Sequence, residues 1–325
     1  ATGKDKNMDQ EPLTLSGSYL AGRVAQKRGD AKAVVKYLGS ALKHDPTAPD
    51  IMRQAFLYNV MDGRVVDAVA LARKLIAGDA KSSLTALAIA VDDAKAGKWD
   101  AVETRLAALE NSGLNAYSQP LLRAWAAFGK GDKNKALELL KPLASVGGAK
   151  GMHDTHAGLI HWLSGDTAKA EQFLINVTGD KTAVSFRSAR LLGNLYEHLG
   201  NADKAKAAYD MFLAVQPKSR LLDTDFDRMK ASGKPPTLIK DAKDGVAEAL
   251  YGIASSLNQE GGFETSLVLG QLGLHIRPNF PILRMTVGSV LEGLERPADA
   301  IKAFKTVPAK TPFHRFAQLR IAANL

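Results

Sequence analysis

The amino-acid sequence predicts an all-α protein, a solenoid of stacked antiparallel helix pairs. Three observations predict this fold class. Apolar residues recur at helical spacing, as in AVVKYLGSAL and DAVALARKLI, without the strict alternation of β-strands. A glycine followed by a polar or charged residue returns about every 34 residues. Small residues stand at fixed distances on both sides of that glycine, so the chain is built of repeats.

The repeated glycine marks the turn inside each unit. Its spacings over the first six units are 34, 34, 34, 34 and 35 residues, and after an interruption the pattern returns for two further units. A glycine at the end of a helix takes the left-handed conformation without a Cβ clash, so each unit is predicted to be two helices joined by a tight turn. The turn positions are Gly29, Gly63, Gly97, Gly131, Gly165, Gly200, Gly261 and Glu295.

Small residues predict where the two helices of a unit touch. A usually small residue lies seven positions before the turn, and another lies five positions after it. One helix pair cannot bury its apolar face alone, so neighbouring units are expected to stack. The positions before the turn are Gly22, Ala90, Ala124, Gly158, Gly193, Ala254 and Gly288, and those after it are Val34, Ala68, Val102, Ala136, Ala170, Ala205, Ser266 and Ala300.

The unit LLGNLYEHLGNADKAKAAYDMFLAVQP, residues 191–217, carries Leu-Gly-Asn-x-Tyr in its first helix, then the turn glycine, Ala205, Tyr209 and Pro217. In these residues it resembles the tetratricopeptide repeat family. The resemblance covers roughly residues 16–217 and 247–325, although Phe56 stands where a small residue is expected. It implies a right-handed superhelix whose first helices line the concave face and whose second helices form the convex back.

The repeat phase divides the chain into four parts. Residues 1–15 are a polar N-terminal segment, and residues 16–217 are six repeats. The next spacing is 61 residues instead of 34, which indicates an insertion at 218–246 that contains the loop sequence GKPP. Residues 247–325 hold two further repeats and the first helix of a ninth, so we expect the parent protein to continue.

Composition excludes several classes of protein and site. The chain has no cysteine, which excludes disulfides, thiolate metal sites and cysteine nucleophiles. No stretch approaches the roughly 18 to 20 apolar residues that cross a bilayer. The net charge of +9 comes from scattered lysine and arginine, so nucleic-acid binding is not predicted. GxSxG, P-loop and HExxH motifs are absent, and the sequence predicts neither an enzyme nor a cofactor.

The repeat phase also predicts a groove that binds a partner protein, so the expected function is that of a non-enzymatic scaffold or adaptor. Its apolar centre lies between basic and polar flanks, which suits an amphipathic helix or an extended segment. In the last zone, Arg190 and Asn194 resemble half of the clamp by which some tetratricopeptide proteins hold a peptide's terminal carboxylate. The predicted lining is Tyr19, Arg23, Lys27, Arg53 and Leu57, then Leu87, Val91, Leu121, Trp125, Phe128, His156, Leu159 and Trp162, then Arg187, Arg190, Asn194 and His198.

Two alternatives come from other classes of protein. The stretch HDTHAGLIHW, residues 153–162, suggests a metal-assisted hydrolase centred on His153, His156 and Asp154. At about 100° per helical residue, however, His161 lies about 140° from His156 and is predicted to be a packed core histidine. The other alternative is a structural building block that self-associates through its unfinished C-terminal end.

The expected location is the periplasm, with the cytoplasm as the alternative. The first residue is Ala1 rather than Met, which indicates processing or cutting. Similar multi-repeat chains occur among exported bacterial proteins.

Overall fold

The computed structural model describes residues 14–78, 82–179 and 184–325. In these ranges the chain forms helices and no β-strand, which confirms the predicted all-α solenoid class. None of the described helices is long and apolar enough to span a membrane. The helices are α1 (Leu15–Lys27), α2 (Ala31–His44), α3 (Pro49–Met61), α4 (Val65–Ala77), α5 (Ser83–Lys95), α6 (Trp99–Ala107), α7 (Asn115–Gly129), α8 (Lys133–Leu140), α9 (Lys150–Leu163), α10 (Thr167–Thr178), α11 (Phe186–His198), α12 (Ala202–Val215), α13 (Asp223–Lys230), α14 (Ala242–Gln259), α15 (Phe263–Ile276), α16 (Pro281–Gly293), α17 (Pro297–Lys305) and α18 (His314–Ala323).

The chain divides into two compact units, Ala1–Asp92 and Asp93–Leu325. The division falls within α5, whereas the sequence placed a break between two arrays at residues 218–246. In the first unit, α1 packs on α2, α2 on α3, and α3 on α4. Helices α1, α2 and α3 share a buried cluster that consists of Ala25, Val34, Leu38, Ala41, Ile51 and Ala55.

The second unit repeats the same local arrangement. The two helices pack against each other within each of the pairs α7/α8, α9/α10, α11/α12, α14/α15 and α16/α17. Helix α18 packs on α17. A short 3-10 helix, Lys141–Ser145, follows α8. Residues 218–246, predicted as an insertion, contain α13.

Each turn closes with the same backbone geometry. All seven predicted turn glycines have positive φ, between 68° and 87°. The residue after the turn position donates its backbone N–H to the carbonyl five residues back, as in Asn201 to Tyr196 at 2.9 Å. This bond is the signature of a Schellman helix end. The predicted tight turns are therefore present, and the eighth has Glu295 at φ 56° instead of a glycine.

In four of the helix pairs the polar residue after the turn glycine caps the second helix. The side chains of Asp30, Asp132, Asp166 and Asn201 each accept a hydrogen bond from the backbone N–H three residues later. Such a cap satisfies one of the donors left free at a helix N-terminus. The Gly-polar pair therefore ends one helix and begins the next.

The small residues before each turn let a large side chain of the second helix approach. A Cβ on Gly193 would overlap the Tyr209 ring, and a Cβ on Gly288 would overlap the Phe304 ring. A Cβ on Gly22 would lie 3.2 Å from Leu38. In each case the partner stands 16 residues later in the sequence. This confirms the predicted contact between the helices of a pair.

Helix α14 departs from the pattern of the other first helices. It has 18 residues and begins at Ala242, before the seventh repeat was expected to start. It packs on its own partner α15, but also on α7 and α9, which belong to the fourth and fifth repeats. The seventh repeat therefore contacts units that are remote in the sequence.

We predict that Glu295→Gly stabilises the protein. A non-glycine residue in the left-handed region destabilises the folded chain by about 1–2 kcal/mol, and glycine removes this cost. Glycine also makes the unfolded chain more flexible, which cancels part of the gain in stability. The net gain is expected to be about 0.5–1 kcal/mol. Thermal unfolding measured by circular dichroism checks it.

Gly200→Ala is the matched control, because it places a Cβ in the same conformation at another turn. It is expected to lower the unfolding temperature. A lower unfolding temperature for Glu295→Gly would contradict the assigned cost of its backbone.

Candidate functional site

The N-terminal half of α14 lies against the face of α7 that the sequence assigned to the groove. Every residue from Asp244 to Leu250 is buried. Gly245 meets the Trp125 indole so closely that a Cβ at that position would overlap the ring. The Trp125 side chain is consequently fully buried. This part of the predicted groove is filled by the chain itself.

The apolar central lining is correspondingly not an open surface. Trp125, Leu121 and Leu159 are inaccessible to solvent. Phe128 and Trp162 are half-buried, and their rings meet Trp125 and His198 edge to face. The expectation of exposed anchors there is wrong, because α14 packs on α7 and α9. On α5, Leu87 and Val91 are also buried.

A buried ion pair joins α11 to α14. The Arg187 guanidinium donates from Nε and Nη2 to the two carboxylate oxygens of Glu248, at 2.8 and 2.6 Å. Burial disfavours both charged forms, but the mutual attraction and hydrogen bonds prevail, which lowers the pKa of Glu248 and raises that of Arg187. Both side chains remain charged under this helix.

A second charged pair and an aromatic ring extend this contact. Arg277 Nε lies 3.2 Å from an Asp244 carboxylate oxygen, and its Nη2 donates to the Leu238 carbonyl at 2.9 Å. The buried Phe280 ring lies against the guanidinium groups of both Arg187 and Arg277, at 5.4 and 4.4 Å from its centroid. Both ends of the buried half of α14 are therefore tied to charged partners.

Residues 218–246 occupy the polar flank of the predicted groove. Arg190 Nε donates to Asp225 at 3.1 Å, and Asp225 also accepts from Arg228. Asn194 Nδ2 donates to the Pro236 carbonyl at 3.0 Å, and His198 Nε2 lies 3.3 Å from the same oxygen. The groups that resembled a carboxylate clamp are consequently held by the insertion.

The basic flank is different, because it remains accessible. Arg23, Lys27 and Arg53 are exposed, and Tyr19 and Leu57 are half-buried. Tyr19 packs against the core cluster of the first unit. In the described chain this zone is the part of the predicted lining whose cationic side chains are exposed.

The histidines of residues 153–162 do not converge on one point. Trp125 Nε1 donates to His156 Nδ1 at 2.9 Å, whereas His153 Nδ1 lies 2.8 Å from Asp154. His161 is buried, as predicted, with Nδ1 3.1 Å from Asp166 and its ring stacked on Phe173. In the described part of the chain, no three His, Asp or Glu side chains are placed to hold a metal ion.

Some residues of this site were not predicted as a group. The predicted lining included Arg187 and Arg190, but not their carboxylate partners Glu248 and Asp225. A carboxylate on the first helix of a repeat, such as Glu248, was the available signal, since it requires a cationic partner if that helix is buried.

We predict that Glu248→Ala destabilises the folded chain by about 3–5 kcal/mol, because it leaves the buried Arg187 charge without its partner. The double variant Arg187→Met/Glu248→Leu is expected to recover most of that loss, since two apolar side chains remove both buried charges. Urea unfolding measures both. A double variant as unstable as the single one would mean that the ion pair itself is required.

We also predict a pH-dependent loss of stability at His156. Burial lowers the pKa of His156 from 6.5 to about 4, so the ring is neutral in the folded chain, while the unfolded chain takes up the proton first as the pH falls. The contribution of His156 to the free energy of unfolding is therefore complete above pH 6.5. It falls between pH 6.5 and about pH 4, by up to about 1.4 kcal/mol per pH unit.

His156→Gln is expected to flatten the stability profile over this pH range. The matched control is His44→Gln, which replaces an exposed histidine of the first unit. Urea midpoints measured at several pH values check the slopes. Equal slopes for the wild type and His156→Gln would contradict a buried neutral ring.

Comparison with known proteins agrees with the repeat phase. The family model described as tetratricopeptide repeat matches residues 190–219, which include most of α11, its turn and α12. No curated protein matches the sequence.

Solved structures that match include the tetratricopeptide domain of P58(IPK), at 11% identity over 97% of this chain and 88% of that chain, with a TM-score of 0.28. A tetratricopeptide repeat protein from Parabacteroides merdae matches at 12% identity, over 95% of this chain and 98% of that chain, with a TM-score of 0.32. Yeast Tom70 matches at 13% identity, over 95% and 81%, with a TM-score of 0.25. Residues 190–219 are thus a tetratricopeptide repeat, and the family resemblance drawn from the sequence is confirmed.

Proposed function

We propose that the protein is a non-enzymatic scaffold that binds an acidic amphipathic segment of a partner protein on the exposed face of α1. The observation that carries this proposal is the pattern on that helix. Leu20 and Val24 are 62% and 49% exposed, and Arg23 and Lys27 are exposed beside them. These four positions follow the i, i+3, i+4, i+7 spacing of one helix face. The face is both apolar and cationic.

The charge of this face favours an acidic partner. Helix α1 contains no Asp or Glu, so its cations have no carboxylate on their own helix. On α3, in the same unit, Arg53 is also exposed but is paired with Asp50, and Leu57 is half-buried. A partner helix with leucines on one side and carboxylates beside them would cover the apolar side chains and pair with the cations.

The metal-assisted hydrolase centred on His153 and His156 gains no support from the geometry. His156 Nδ1 accepts a hydrogen bond from Trp125, and the nearby carboxylate of Asp154 is bound by His153 and Lys150. Self-association through the C-terminal end and a periplasmic location stay predictions.

The proposal predicts binding of a fluorescein-labelled helical peptide that carries leucine and glutamate at i, i+3, i+4 and i+7. Arg23→Glu/Lys27→Glu is expected to weaken this binding about tenfold or more, because two attractive pairs become repulsive, at roughly 0.5–1 kcal/mol each. Fluorescence anisotropy measures it. Added salt is expected to weaken wild-type binding as well.

The matched control is Lys32→Glu/Lys36→Glu, which changes the net charge equally on exposed positions of the second helix, α2. It is expected to bind the peptide as the wild type does. If both double variants lost the same affinity for the peptide, the peptide would be attracted by the net charge of the protein alone. That result would overturn α1 as the docking face. Absence of wild-type binding would overturn the proposal as well.

A further inference from the structure

A cleft of about 290 Å³ lies between α9, α11 and the C-terminal half of α14, and we call it the α14 cleft. Its buried polar and charged lining residues are His156, Arg187, Ser188 and Glu248, and the buried Leu191 also lines it. The cleft is close in size to the smallest pockets that hold small-molecule ligands. It lies in the second unit and takes no part in the surface proposed for the protein partner.

The charges that line the α14 cleft cancel. Among its described lining residues, the charged ones are Arg187 and Glu248, and each satisfies the other through two hydrogen bonds. An anion would have to compete with Glu248 for the guanidinium, and a cation would have to compete with Arg187 for the carboxylate. The cleft therefore favours an uncharged ligand.

The lining offers both donors and acceptors of hydrogen bonds. Trp125 Nε1 donates to His156 Nδ1, so the neutral ring carries its proton on Nε2 and can donate from there. Thr155 Oγ1 already donates to the Gly151 carbonyl at 2.8 Å, and Ser188 Oγ donates to the Ser185 carbonyl at 3.1 Å. Thr155 Oγ1 retains lone pairs for a ligand donor, whereas Ser188 Oγ already accepts from the backbone N–H and from the Oγ of Ser185.

A glycine keeps this cleft open. Gly252 lies within α14, where glycine costs about 1 kcal/mol relative to alanine. A Cβ on Gly252 would meet no other atom within 4 Å, and its φ is not positive. Gly245 on the same helix is different, because Trp125 fills the space beside it. Packing against Trp125 therefore explains Gly245, whereas neither packing nor backbone conformation requires glycine at Gly252, which lines the cleft.

An adjoining cavity extends the space along α14. It has a volume of about 460 Å³ and shares the lining residues Met152 and Ser256 with the α14 cleft. It adds the ring of Tyr117 and the side chains of Leu114 and Leu257, with Glu260 also in its lining. A ligand that carries hydroxyl groups and an apolar ring face fits this combination of polar cleft and aromatic neighbour.

We propose that the α14 cleft binds a neutral saccharide of one or two rings, whose hydroxyl groups meet His156 Nε2 and the hydroxyl of Thr155. The ion pair at the cleft selects against charged ligands. The open position at Gly252 admits the sugar ring, and the adjoining cavity receives the second ring of a disaccharide.

The test is saturation-transfer difference NMR of the full chain with D-glucose, N-acetyl-D-glucosamine and maltose as probes. At least one of these sugars is expected to show transfer. Gly252→Leu is expected to reduce the affinity at least tenfold, because its side chain starts in the open space of the cleft, where a Cβ meets no atom within 4 Å. The variant is also expected to fold, since leucine has a higher helix propensity than glycine.

The matched control is Gly39→Leu, which makes the same change within α2 at a position that is also open. It is expected to bind the sugar as the wild type does, and so is Arg23→Glu/Lys27→Glu, which separates this inference from the proposed partner site. The proposal is overturned if none of the three sugars shows transfer, or if Gly252→Leu binds as well as Gly39→Leu. Stronger binding of D-gluconate, inorganic phosphate or a triserine peptide than of the sugars would overturn it too.

Discussion

The packing of α14 on α7 is the contact on which the second unit depends. Trp125 is the largest fully buried side chain described, and it is buried because Gly245 presents no side chain to it. A helix that lies so close to another brings its flanking groups into the interior. Glu248 and Asp244 are buried as a result, and each requires the cation that faces it, Arg187 and Arg277.

This contact decides which surfaces of the repeat array remain free. In a stack of helix pairs, the first helices of successive units present a continuous inner face. Here the first helix of the seventh repeat lies on that face in the fourth and fifth repeats, and the insertion at 218–246 covers Arg190 and Asn194 beside it. In the described chain the basic face of α1, in the first unit, and the α14 cleft, in the second, are accessible, and they differ in charge and in the size of the occupant that we propose for each.

The individual helix pairs depend on local chemistry instead. The turn glycine, the Asp or Asn cap and the small residue opposite a large one recur in several pairs because each satisfies a requirement within about 20 residues of chain. Gly193 leaves room for the Tyr209 ring, and Gly288 leaves room for the Phe304 ring in the same way. Glu295 shows that the turn forms even where its preferred residue is missing.

The sequence by itself determined the helix pairs, their turns and their internal contacts, because these requirements are local and repeat at a constant period. Periodicity also identified which residues lie on the first helices, including Trp125, His156 and Arg187. It could not show that α14 would cover them. That contact depends on Gly245 meeting Trp125, 120 positions away in the sequence, and on Glu248 meeting Arg187, 61 positions away. Only the tertiary structure decided it, because complementarity between distant helices leaves no periodic signal in the sequence.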